Sequence, residues 1–316
     1  MEYVIEATGL DVRYQGCHAL RSVDFRVKPG TIYALLGENG AGKTTLIKVL
    51  TGFLKPHSGT CRVLGLDPQK DPDELRRRIS YVADSPALYD WMHVEEIGWF
   101  AASFYAEGFR QRYLELVDHY AIPKNRKIKS LSKGQRAKVA LSLALAPDPD
   151  VLILDEPTSG LDPIVRREFL ESMLERISSG KTVLLSSHQI SEVERVADEV
   201  AILHAGEVKM DGNLQELRES TRNITVTLSD ALVTIPLPSA PAQILRQRQA
   251  GRQLQLLVRH FSDRYKFELE QLSGVMQVTE RNTSLEELFS LCVLPPDETI
   301  LHSPADTSPN TSSEVA

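Results

Sequence analysis

The chain has 316 residues but only three cysteines, Cys17, Cys61 and Cys292, odd in number and far apart. That spacing indicates neither a disulfide framework nor a metal knuckle, and it fits a reducing cytoplasm. No apolar run approaches the roughly 20 residues that a membrane-spanning helix needs. The opening MEYVIEATGLD also lacks the basic and apolar blocks of a secretory leader, so a chain that is soluble when made is expected. Positive charge is in deficit: 36 Lys and Arg stand against 43 Asp and Glu, a net charge of -7. An overall electrostatic reason to bind nucleic acid or an anionic membrane is therefore missing, and no nucleic-acid partner is expected. Aromatic residues are only 6% of the chain, yet eight of them lie between Tyr89 and Tyr113, both tryptophans included. Such a cluster reads either as helical core or as a surface that meets a partner.

What is present suits a globular protein with a large domain and a smaller one: 42% of residues are hydrophobic and 25% charged. Residues 1–217 alternate short β-rich runs with longer helical patterns, which predicts an α/β fold. TIYALL (31–36), VLIL (151–154), TVLLS (182–186) and VAIL (200–203) are near-continuous apolar runs, as parallel strands buried on both faces require. YVIEATGLDVRY and VDFRVKPG alternate instead, predicting an antiparallel edge, and residues 86–147 read as a helical subdomain. From 218 to 294 the runs ITVTLSD, LVTIPLP, LQLLVRH and VMQVTER read as strands, while DRYKFELEQL and SLEELFSLCVL read as helices. This predicts a small C-terminal α+β domain. Residues 295–316 are rich in Pro, Ser and Thr and predict a disordered tail.

GENGAGKTT, residues 37–45, stands between a predicted strand and a predicted helix and matches the phosphate-loop pattern G-x-x-x-x-G-K-[ST]. Gly37, Asn39, Gly40 and Gly42 allow the backbone to curl around phosphates, Lys43 reaches the terminal ones, and Thr44, followed by Thr45, offers a hydroxyl to Mg²⁺. VLILDEPTSGLD supplies a second strand ending in Asp155, placed to hold the metal, and Glu156, placed to polarise an attacking water. His188 closes TVLLSSH, where the carboxyl ends of parallel strands face a ligand crevice. Tyr14 offers an aromatic face on which a base can stack. SLSKGQRAK contains no nucleophile beside a base. Ser132 and Gln135 have the spacing of a capping box at a helix start.

GENGAGKTT, LSKGQ, LILDEPTSGLD and SSH, in this order, resemble the ATP-binding subunit of ABC transporters over residues 2 to about 215. The resemblance implies a P-loop NTPase fold with a mostly parallel core sheet, ATP and Mg²⁺ as ligands, and hydrolysis with Glu156 and His188 as the catalytic pair. It implies a head-to-tail dimer in which Ser132, Lys133, Gly134 and Gln135 complete the ATP site of a second copy or a paralogue. Asp162 would couple the two sites along the dimer interface. It also implies docking on a separate integral-membrane permease at the cytoplasmic face, with the aromatic cluster at the docking place. The SLEELF helix resembles the accessory domain of ATPases that serve type-2 ABC export systems.

Two positions depart from the family pattern. Lys133 replaces the first glycine of the signature, removing conformational freedom and adding a positive charge. Asp84, with Ser85 as the alternative alignment, stands where the family often carries a glutamine near the magnesium and the attacking water. Two other functions use the same cassette: a soluble ATPase acting on nucleic acid or ribosomes, and an ATP-dependent scaffold. The chain lacks the long heptad insertion, the tandem cassette and the basic balance of the first. The presence of both Glu156 and His188 opposes the second.

Overall fold

The computed structural model describes residues 2–294. It divides into two compact units, Met1–Glu216 and Leu217–Ala316; the tail expected after residue 294 lies outside the described residues. The first unit runs β1 (Ile5–Tyr14), β2 (Cys17–Val27), β3 (Ile32–Leu36), α1 (Lys43–Leu50), β4 (Ser58–Val63), α2 (Pro72–Arg78) and β5 (Ile79–Val82). It continues with α3 (Val94–Ala102), α4 (Phe109–His119), α5 (Lys133–Leu145), β6 (Val151–Asp155), α6 (Pro163–Ser178), β7 (Thr182–Ser187), α7 (Ile190–Val196), β8 (Glu199–His204) and β9 (Glu207–Asn213).

Six of these strands form one sheet in the order β5-β6-β7-β3-β8-β9. Its first five strands are parallel, and β9 adds an antiparallel edge to β8. Every residue of β3, β6 and β7 is buried, which is why these strands are apolar without alternation. Successive side chains point to opposite faces and feed two cores. Leu152, Leu154, Val183 and Leu185 pack with the helical segment, whereas Ile153, Leu184, Tyr33 and Leu35 pack with α1 and the antiparallel strands. Those strands differ from the expectation: β2, β1 and β4 form a three-stranded sheet of their own rather than an edge of the parallel one. Strand β4 escaped the sequence reading because SGTCRV carries little apolar signal.

Between β5 and β6 the chain is helical, as expected, with α3, α4 and α5 enclosing Phe109, Tyr113 and Val139. The aromatic cluster divides there. Phe109 and Tyr113 are core, while Trp91, Trp99 and Phe104 are 65%, 63% and 72% exposed.

The second unit contains β10 (Thr221–Leu228), β11 (Gln243–Ala250), β12 (Gln253–Arg259), α9 (Asp263–Glu270), β13 (Val275–Asn282) and α10 (Leu285–Val293); α8 (Leu214–Ser220) spans the junction. Its antiparallel sheet has the order β11-β12-β10-β13. LVTIPLP is not one of its strands. Pro236 and Pro238 have no N–H for a ladder, so that stretch is irregular, and the polar QILRQRQA pairs with β12 instead.

Gly98 on α3 faces the Tyr113 ring so closely that a Cβ would collide with Cδ1 and Cε1, while the Tyr113 hydroxyl donates to the Val94 carbonyl at 2.7 Å. The ring cannot withdraw without losing that bond. Gly98→Ala is expected to destabilise the protein by about 1–3 kcal/mol through overpacking, which chemical denaturation of the variant against the wild type would measure.

Candidate functional site

Strand register assembles the site. Leu36 at the end of β3 pairs with Ser187 on β7, and Asp155 at the end of β6 pairs with Ser186 on β7. The phosphate loop, Glu156 and His188 therefore leave the sheet at one level, at its carboxyl edge, where ligands bind in open parallel sheets.

Gly42, the N-cap of α1, has φ 112°, and a Cβ there would lie 2.5 Å from the Ala19 carbonyl oxygen. At Gly37 a Cβ would come 2.5 Å from the Leu203 carbonyl oxygen. Close backbone approach requires glycine at both positions, and at Gly42 the left-handed backbone requires it as well. Gly40, at φ 83°, requires glycine for conformation alone.

Lys43 is 5% exposed. Its Nζ donates to the Gly37 carbonyl at 2.7 Å and the Glu38 carbonyl at 3.2 Å, and lies 2.9 Å from Glu156 Oε1. The other Glu156 oxygen, Oε2, is 2.6 Å from His188 Nδ1. Lys43, Glu156 and His188 thus form a continuous chain of contacts. Glu156 has φ 49°, in the left-handed region, a strain of order 1–3 kcal/mol for a residue with a side chain. Its amide donates to the Ser186 carbonyl at 3.2 Å and to Ser186 Oγ at 3.0 Å, which holds the strained turn in place.

Asp155 is 1% exposed and accepts a hydrogen bond from Ser186 Oγ at 2.6 Å. Ser186 was missed in the sequence reading. The available signal was a pair of hydroxyl residues, Ser186 and Ser187, ending an otherwise apolar buried strand. Tyr81 on β5 stands within the field of Asp155 and Asp84. Burial first, and those two carboxylates second, push its phenol up to about 12.

A cleft of about 330 Å³ brings together Tyr14, Asn39, Gly40, Gly42, Lys43, Thr44, Thr45, Asp84 and Glu156. Among the described residues no group of three or more His, Cys, Asp or Glu side chains could by itself hold a metal ion. Ser132, Lys133, Gly134 and Gln135 do not line this cleft. They open α5, where Ser132 Oγ accepts from the Gln135 amide at 3.2 Å and Gln135 Oε1 accepts from the Ser132 amide at 3.1 Å, completing the capping box. Lys133 takes helical backbone as the first residue of α5, so this position makes no conformational demand for glycine. Its ammonium lies over Gly160, and its side chain lines a second cavity of about 340 Å³ together with Asp84, Ser85 and Ser159. Asp162 stands just ahead of α6, where Oδ1 accepts from the Ile164 and Val165 amides at 3.1 and 3.0 Å.

Residues 20–159 match the family model described as ABC transporter. The daunorubicin/doxorubicin resistance ATP-binding protein DrrA of Streptomyces peucetius is 32% identical over 265 residues, covering 82% of this chain and 78% of that protein. The chain belongs to the ATP-binding subunits of ABC transporters. An ATP-binding subunit of an ABC transporter has the same fold, with 33% identity, a TM-score of 0.64, and coverage of 68% of this chain and 92% of that one. A bacterial ABC transporter cassette solved as a dimer matches at 26% identity with a TM-score of 0.60, over 66% of this chain and 98% of that one. Membership in this family implies ATP binding and hydrolysis in partnership with a membrane permease. Among the described residues no helix is long and apolar enough to cross a membrane.

Ser186→Ala removes the hydroxyl that links the Asp155 carboxylate to the Glu156 amide. The buried acid loses a donor, so the variant is expected to be less stable by about 1–3 kcal/mol, read as a lower urea midpoint at unchanged slope.

Proposed function

We propose that this chain is the energy-coupling ATPase of an exporter, held at the cytoplasmic face of the membrane by a separate permease and working as a head-to-tail dimer around two ATP. One observation carries the hydrolytic part of this reading: the Glu156 carboxylate joins Lys43 of the phosphate loop to His188 in one contact chain beside the cleft. ATP would stack its base on Tyr14 and lay its phosphates along Gly37–Thr45. Lys43 would then exchange the Glu156 carboxylate for phosphate oxygens, leaving Glu156 Oε1 to accept the proton of a water. As that water attacks the γ-phosphorus, the bond to the ADP oxygen breaks. His188 holds the carboxylate in orientation through Oε2. General-base assistance of this kind contributes about 10²- to 10⁴-fold.

The donor set suits Mg²⁺. The Thr44 hydroxyl and the carboxylates of Asp155 and Asp84 are hard oxygen ligands, and Mg²⁺ takes few protein ligands beside phosphates and water. Its chemistry would be charge neutralisation on the phosphates. Asp84 lines both the nucleotide cleft and the cavity beneath Lys133, which suits a residue that relays the state of one to the other.

The signature residues at the start of α5 lie outside the chain's own cleft, which supports their use by a second copy. There the capped helix end directs its amides and dipole at a phosphate. Ser132, Gly134 and Gln135 would meet the partner's γ-phosphate, Lys133 would add a cation, and Asp162 would face the other copy. A closed symmetric pair needs one gene only. Trp91, Trp99 and Phe104 form the exposed aromatic surface that suits the permease. Export is supported by the DrrA relative, named for drug resistance, whose match extends past Glu216 into the second unit.

Glu156→Gln keeps the size of the side chain and removes the base. ATPase turnover is expected to fall about 10²- to 10⁴-fold while ATP still binds, and ATP should convert the variant into a dimer by size-exclusion chromatography with light scattering. A variant that turns over at the wild-type rate, or stays monomeric at saturating ATP, would contradict the reading.

A further inference from the structure

Glu192 is a carboxylate with no place in the steps above, yet it is 4% exposed. It lies in the first turn of α7, the helix that begins just after His188. Both of its oxygens are engaged. Oε2 accepts a hydrogen bond from Thr158 Oγ1 at 2.5 Å, and Oε1 is 2.8 Å from Arg166 Nε, an ion pair rather than an aligned hydrogen bond. Arg166 in turn donates from Nη2 to the Leu161 carbonyl at 3.2 Å. The segment between Glu156 and Asp162 is therefore gripped at Thr158 directly and at Leu161 through Arg166, and both grips converge on one side chain.

A buried charge is costly unless it is paired, and helix packing alone would be served as well by an apolar residue. Thr158 is itself buried at 2% exposure, so its hydroxyl can change partner only if the segment moves. We propose that Glu192 is a positioning residue for hydrolysis: it fixes the Pro157–Asp162 segment against α7, the helix that follows His188, so that Glu156 and His188 stay aligned as that segment meets the second copy. The proposal rests on the assignment of Glu156 as the base. Glu192 does not line the nucleotide cleft; it acts through Thr158 and Arg166.

The test compares the purified full chain with Glu192→Gln, Thr158→Val, Thr158→Ser and Glu156→Gln, measuring kcat and KM for ATP and the Kd of a fluorescent ATP analogue. Glu192→Gln and Thr158→Val are expected to lower kcat tenfold to about 10²-fold, as small misplacements of catalytic groups do, with KM and Kd unchanged. Thr158→Ser keeps the hydroxyl and should restore wild-type kcat, which a loss of packing alone would not predict for Thr158→Val. If Glu192→Gln is poorly folded, the Thr158 pair still decides, since neither variant alters a charge. Wild-type kcat in Thr158→Val, or a rise in KM and Kd at unchanged kcat, overturns the proposal while an inactive Glu156→Gln leaves the base assignment standing. Wild-type turnover in Glu156→Gln overturns both.

Discussion

A buried lysine is the constraint around which the first unit is organised. The Lys43 ammonium is removed from water, and a charge so placed is tolerated only with near-complete pairing. Two loop carbonyls and the Glu156 carboxylate supply that pairing. Each comes from the end of a strand, and the strands are held level by the register of β3 and β6 on β7. A slip of one residue in either ladder would turn Asp155 or Ser186 to the opposite face and separate the groups. The apolar packing on both faces of the sheet thus serves to keep three polar strand ends in register.

Around that centre the polar groups are bound in pairs that hold one another. Ser186 links Asp155 to the backbone of Glu156, His188 fixes the outer carboxylate oxygen, and Glu192 secures the segment that follows. The left-handed backbone of Glu156 is tolerated because its amide has two acceptors on β7. A side chain locked on a strained turn has little freedom to lose when a substrate arrives, which is the physical basis of preorganisation.

Much of this was legible in the sequence, and for identifiable reasons. The apolar runs ending in polar residues announced β3, β6, β7 and β8, and the loop 37–45 announced its own ligand class. The capping box at Ser132 and Gln135 is present as spaced. Strand order was not legible, because nothing local in β3 says that β7 lies beside it. Ser186 was hidden for the same reason: its two partners are distant in sequence. LVTIPLP alternates like a strand, but its prolines forbid a ladder, and QILRQRQA carries little strand signal because an edge strand needs little apolar content. Lys133 gives up the conformational freedom of the family's glycine, but as the first residue of α5 it has helical backbone and does not need that freedom.

The central claim is that the site of one copy is completed by the α5 signature of another. The most direct measurement uses two chains whose native cysteines have been replaced, one carrying Asn39→Cys and the other Ser132→Cys, both in a Glu156→Gln background that retains ATP. They are mixed and oxidised with or without ATP. The account predicts a covalent dimer containing one chain of each kind, formed only when ATP is present. Failure to form that mixed dimer with ATP, or its formation to the same extent without nucleotide, would contradict it.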